Sequence, residues 1–232
     1  MIAFFFSKLQ PFGSVLFHNP KVERLHFDEL YHVDYATSID SSDDDGGSGI
    51  SGEGGGCQGS QLLPSVEGLR AVRDAFAASA SKPPSPGKVI MVSRDKSSAR
   101  SFLNQAEVND VVKGIAERAG MQFVVYEGKD EPGSFEGAIE TFRDARVVVG
   151  PHGGGLSNVV FSPANTVVME VSLETEETGE YEYMSNALGL RYRNYTIFGG
   201  GLFEAKVQLN VGEGGEFRDF VKRGIAEALD WV

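Results

Sequence analysis

A histidine, three consecutive glycines, a serine and an asparagine lie between two apolar runs in the stretch Val147 to Val171, VVVGPHGGGLSNVVFSPANTVVMEV. In this order they suit the holding of an anion. Glycines let the backbone approach a ligand closely, and amides at the start of a helix point outward in a way that favours phosphate oxygens. The second run ends on Glu170, where a carboxylate would take ribose hydroxyls as acids do on dinucleotide folds, or pair with a nearby arginine. His152 could donate to a phosphate, take part in proton transfer, or only brace the turn. Gly153, Gly154 and Gly155 could equally form a plain tight turn, and Ser157 and Asn158 could cap the short helix rather than touch a ligand. Arg94 and Arg100 bracket SRDKSSAR beyond an earlier strand. Two guanidiniums there could neutralise a diphosphate.

These residues need a scaffold that brings strand ends to one side. The pattern predicts strands over Lys88 to Val92, Gln122 to Tyr126, Arg146 to Val149, Thr166 to Val171 and Arg191 to Ile197. Helices alternate with them. One carries Val108, Val111, Val112, Ile115, Ala116 and Ala119 at helical spacing, with Asn104 and Glu107 as a capping pair and Gly120 as its stop. Others begin at Ser134, run through Val159 and Val160, span Glu182 to Leu188, and close the chain over Phe217 to Trp231. Apolar strands alternating with helices predict an α/β fold, a Rossmann-like parallel sheet with helices on both faces. Ligands on such sheets bind at the carboxyl ends of strands, where the glycine loop falls.

A rigid Pro83-Pro84-Ser85-Pro86-Gly87 segment marks a boundary near Pro86, dividing a partial N-terminal region (1–86) from a Rossmann-like domain (87–232). The N-terminal region holds a helix over Val66 to Ala80. It also holds an acidic glycine-serine stretch, 40–60, too poor in apolar residues to order itself, so Asp40, Asp43, Asp44 and Asp45 read as solvated charge rather than metal ligands. Cys57 lies in that stretch as the chain's one cysteine, which excludes an internal disulfide and a CxxC zinc site.

The chain has 232 residues with 33 acids against 21 Lys and Arg, a formal charge of -12, so non-specific attraction to nucleic acid or anionic membrane is disfavoured. No run is long and apolar enough to span a bilayer. Met1 to Phe6 is apolar but lacks the basic start of a signal peptide.

Taken together, SR...R.FLNQAEV at Ser93 to Val108, SFEGAIETFRDARVVVGPHGGGLSNVVF at Ser134 to Phe161, VVMEV at Val167 to Val171 and ALGLRYRNY at Ala187 to Tyr195 resemble glycosyltransferase family 61. The family's usual HGAGL has Gly154 in place of alanine here. The resemblance implies a GT-B architecture with an incomplete N-terminal, acceptor-side half. It implies inverting transfer from a nucleotide sugar, expected to be UDP-linked, to a glycan or glycoprotein acceptor, with neither metal nor cofactor. Carried over by motif, His152 is the catalytic candidate. Arg94, Arg100, Gly153, Gly154, Gly155 and Asn158 would lie near the donor diphosphate, and Glu170 near the nucleoside. The family's setting implies the lumen of the Golgi or endoplasmic reticulum. The sequon Asn194-Tyr195-Thr196 fits such a compartment, although a strand position would oppose modification if it buried Asn194.

Two other functions fit parts of the chain. HGGG is also an oxyanion-hole motif of α/β-hydrolases, but no G-x-S-x-G elbow follows it and no histidine follows His152. A non-catalytic nucleotide-sugar-binding module fits the incomplete N-terminal half.

Overall fold

The computed structural model describes residues 35–36, 63–78, 87–95, 100–128, 134–173, 179–198 and 206–230. The acidic stretch 40–60, Cys57 and Pro86 lie outside them. The elements in order are β1 (Tyr35–Ala36), β2 (Leu63–Pro64), α1 (Val66–Ala78), β3 (Lys88–Val92), α2 (Gln105–Arg118), β4 (Gln122–Tyr126), α3 (Ser134–Phe142) and β5 (Ala145–Pro151). A 3-10 helix (Gly154–Phe161), β6 (Val167–Leu173), α4 (Glu180–Leu188), β7 (Arg191–Ile197) and α5 (Glu216–Leu229) follow.

Five strands form one parallel sheet in the order β4-β3-β5-β6-β7. The three inner strands, KVIMV, ARVVVGP and VVMEVSL, are almost wholly buried. β-branched side chains suit this position, because both pleated faces must be covered when helices return over each side. On one face, Val89, Met91, Val147, Val149, Val167 and Met169 pack against α2 and α5. On the other, Ile90, Val92, Val148 and Val168 meet α1, α3, the 3-10 helix and α4. The α/β architecture with helices on both faces is therefore present.

The order of strands also places the ligand edge. The chain goes outward from β3 to β4, crosses back to β5 on the other side of β3, and continues through β6 to β7. The connections leaving the carboxyl ends of β3 and β5 run apart, which opens a crevice between them.

From the N-terminal side of the Pro86 boundary, α1 buries Leu69 against the sheet domain, and its buried Phe76 stands edge-on to Phe161 at 5.3 Å. Arg70 Nε and Arg73 Nη1 of α1 donate to the carbonyls of Ala187 and Leu188 at 2.9 and 2.7 Å. These bonds satisfy the open carbonyls at the end of α4 and put cations where the helix dipole favours them. Asn104, expected to cap α2 with its side chain, makes no capping bond. Its amide donates instead to Glu107 Oε2 at 3.1 Å, the expected pairing of these two side chains, and to Leu209 O at 2.9 Å, while its Oδ1 accepts from Leu209 N at 3.1 Å as a neighbouring strand would. That pairing fastens residues 207–209 beside the loop before α2, with Phe102 and Val207 bridged in parallel.

β7 is an edge strand, and Asn194 is exposed on it, so burial does not oppose the sequon. Its Oδ1 accepts from Ser172 Oγ at 2.9 Å.

Phe142 tests the crossover face. It is fully buried at the end of α3 and stands edge-on to Tyr126 at 5.0 Å. Phe142→Ala is expected to lower the unfolding free energy by about 3–5 kcal/mol, read from urea denaturation.

Candidate functional site

β5 runs to Pro151, two residues further than expected, and its ladder continues as His152 N donates to Val171 O at 2.8 Å. The chain then turns at Gly153, with φ 139° and ψ 173°, and enters a tight 3-10 helix at Gly154. A side chain at Gly153 is barred twice over. That φ is rarely adopted by other residues, and a Cβ there would lie 2.0 Å from Arg94 Nη1. Gly155 is held bare by packing alone, since a Cβ would meet Val92 Cγ1 at 2.7 Å. Gly154 differs: a Cβ there meets nothing within 4 Å among the described residues. The middle glycine is thus the one position of the three with room for an alanine.

Arg94 presses on this loop for a reason. Its Nη1 donates to the carbonyl of His152 at 2.8 Å, so the guanidinium braces the turn from the end of β3. Asn158 Nδ2 donates to Gly155 O at 3.0 Å and steadies the same loop from within the helix. Between these groups and the end of β4 lies a cleft of about 420 Å³, lined by Arg94, Asp95, Tyr126, Glu127, Gly153 to Gly155 and Asn158. It occupies the crevice that the strand order predicts.

A second group gathers on the other side of the loop. His152 Nδ1 meets Glu170 Oε1 in a very short contact, and Tyr192 OH donates to Glu170 Oε2 at 2.5 Å. Glu170 has no exposed surface and the His152 side chain is 13% exposed, so the pair is nearly withdrawn from water. The His152 ring stands edge-on to Tyr181 of α4 at 5.4 Å. Burial raises the Tyr181 phenol above its ordinary value of 10.0; a hydrogen bond from Ser157 opposes this, Glu170 and Glu180 add to it, and Arg100 opposes it. Tyr181 therefore stays a neutral hydroxyl through the physiological range. Arg100, at φ 64°, reaches this cluster rather than the lining of the cleft.

The structure thus divides the expected residues about the glycine loop. Arg94, Gly153, Gly154, Gly155 and Asn158 border the cleft, while His152 and Arg100 belong with Tyr181 on the α4 side. β6 extends to Leu173, so Glu170 is an interior strand residue whose two oxygens meet His152 and Tyr192. Tyr192 and Tyr181 were missed. The signal for a partner was visible, because a carboxylate inside the apolar run VVMEV demands one. Identifying Tyr192 required the register of β6 on β7, which pairs Val168 with Tyr192 and so puts that ring one step from Glu170 on the same face. Among the described residues no group of three or more His, Cys, Asp or Glu is gathered to hold a metal ion. No described helix is long and apolar enough to cross a membrane.

Two solved structures resemble the chain loosely. A diflavin flavoprotein A3 from Nostoc sp. gives a TM-score of 0.40 at 13% identity, covering 65% of this chain and 94% of that one. A mutant flavo di-iron protein from Thermotoga maritima gives 0.41 at 11% identity, covering 69% and 39%. At these scores neither bears on fold or function. The sequence comparisons are more specific. The alpha-1,3-arabinosyltransferase XAT2 of Oryza sativa subsp. japonica is 30% identical over 130 residues, which is 54% of this chain and 21% of that protein. The chain therefore spans about a fifth of that relative's length. The Glycosyltransferase 61 family model matches residues 60–169, a span that takes in α1, β3, β4, β5, the glycine loop with its brace, and β6 as far as the residue before Glu170. The loop, its brace and the sheet edge all lie inside that match, so over this region the chain is similar to glycosyltransferase 61 proteins.

Proposed function

We propose that the chain forms the donor side of a glycosyltransferase, binding a UDP-linked sugar whose diphosphate lies across Gly153 to Gly155. The observation that carries this reading is the loop's bareness: Arg94 and Val92 pack so closely against it that two of its three glycines admit no side chain. A backbone held bare at the crevice of a parallel sheet, ahead of a helix start, presents amides to an anion. The cleft on the β3 and β4 side has room for the nucleoside or the sugar, and His152 and Arg100 approach the diphosphate from the α4 side.

In this reaction a base removes the proton of an acceptor hydroxyl, and the resulting oxygen attacks the anomeric carbon from the face opposite the diphosphate. The new glycosidic bond forms as the bond from the anomeric carbon to the phosphate oxygen breaks, which inverts the configuration. Negative charge then collects on the departing UDP. Loop amides, the Arg100 guanidinium and the His152 ring are the groups that would stabilise it, without a metal. The acceptor is a glycan or glycoprotein hydroxyl, and the rice relative's name as an arabinosyltransferase supports a glycan. The acceptor side and the base belong to the remainder of a GT-B architecture, and the working compartment is the Golgi or endoplasmic reticulum lumen.

Calorimetric titration with UDP and UDP-sugars, paired with an assay of donor hydrolysis, tests this reading. Saturable binding is expected, and binding without turnover would make the chain a nucleotide-sugar-binding module. Arg100→Ala should weaken UDP binding about tenfold by removing a charge-assisted contact; unchanged affinity removes that arginine from the site. The glycines should separate sharply. Gly154→Ala leaves stability and UDP affinity near wild type, whereas Gly153→Ala costs about 1–3 kcal/mol in chemical denaturation and abolishes measurable binding.

A further inference from the structure

Nothing so far gives a use to Glu170 and Tyr192. A carboxylate removed entirely from water inside an apolar strand is costly unless it is paired. Its pairing is specific. One oxygen meets His152 Nδ1 and the other accepts the Tyr192 hydroxyl, so neither is left to rotate toward another partner. Nδ1 is committed to this carboxylate, so the ring's dealings with a ligand fall to Nε2.

We infer that Glu170 and Tyr192 are positioning residues that orient the His152 ring through Nδ1 and hold it as a cation at neutral pH, so that it meets the donor diphosphate as a charged hydrogen-bond donor. Glu170 on β6 and Tyr181 on α4 touch the ring, Tyr192 on β7 acts on it through Glu170, and Glu180 on α4 and Arg100 ahead of α2 act electrostatically on the adjoining Tyr181. Arg94 from the end of β3 holds the His152 carbonyl. Burial of the ring disfavours its charge, and Glu170, in direct contact and sharing a hydrogen bond with it, favours that charge. The contact prevails because a charge-assisted hydrogen bond strengthens where there is little water. Tyr192 moderates the effect, since its hydroxyl draws charge from the same carboxylate.

The diphosphate part of this inference rests on the donor-site reading above; the charge of the ring does not. Two measurements keep them apart. The first is an NMR titration of the histidine ring resonances in ligand-free protein, with His152→Gln identifying the signal of His152 among the chain's four histidines. Glu170→Gln preserves shape and should lower the His152 midpoint by about one pH unit or more. Glu170→Asp keeps the charge and should restore part of it. Tyr192→Phe should leave the midpoint unchanged or raise it, the opposite sign, because the carboxylate then loses a competing partner. A midpoint unmoved in Glu170→Gln, or moved equally in Glu170→Asp, overturns the inference.

The second measurement is UDP affinity against pH. A ring that titrates to its neutral form loses its charge as pH rises, so wild-type affinity should fall through the His152 midpoint. In Glu170→Gln that fall should move to lower pH, leaving affinity about tenfold weaker at neutral pH and near wild type in acid. If wild type binds no UDP while the ring midpoints shift as stated, the donor-site reading fails and the assignment of Glu170 stands.

Discussion

A carboxylate sealed inside a parallel sheet is the constraint around which this molecule is arranged. Isolated, the charge of Glu170 would be strongly disfavoured in so apolar a strand. It is tolerated because two side chains arrive from different strands to take both oxygens, His152 from just beyond β5 and Tyr192 from β7. Three adjacent strands are therefore joined by side chains as well as by their backbone ladder. The arrangement requires His152 to sit level with the interior of β6, which the bond from His152 N to Val171 O secures.

With His152 drawn toward β6, the backbone that follows must turn away from it at once. Gly153 makes that turn in a conformation few other residues adopt, and Arg94 fills the space where a side chain would have been while holding the His152 carbonyl. One residue is thus pulled from both ends, its ring toward Glu170 and its carbonyl toward Arg94. These two attachments, with a glycine at the turn, fix the course of the loop. Strand order does the rest, since the reversal after β4 places the braced loop beside an open crevice.

The electrostatics of the two sides differ. The cleft side mixes Arg94 with Asp95 and Glu127, while the α4 side pairs a histidine and an arginine with a buried carboxylate and a neutral tyrosine. With a net charge of -12, the overall field of the chain does not draw anions.

Much of this was legible in the chain alone. Apolar runs of four to seven residues alternating with helical periods require a parallel sheet covered on both faces, because such strands have no polar side to turn to water. The motif HGGGLSN located the loop, and its position after a strand located it at the carboxyl edge. What the sequence could not determine was which residues share an environment. Glu170 read as a strand terminus because the apolar run stops there; only the sheet register showed a strand continuing to Leu173 with the carboxylate inside it. The second role of Arg94 and the division of His152 and Arg100 from the cleft depend on side-chain directions about a glycine with positive φ, which no periodicity encodes. Asn104 fits a capping pattern by spacing, yet it pairs with Leu209, 105 residues away. Local pattern determines the elements, because their hydrogen bonds close over a few residues; tertiary packing determines the site, because each of its groups is held by a partner from a distant part of the chain.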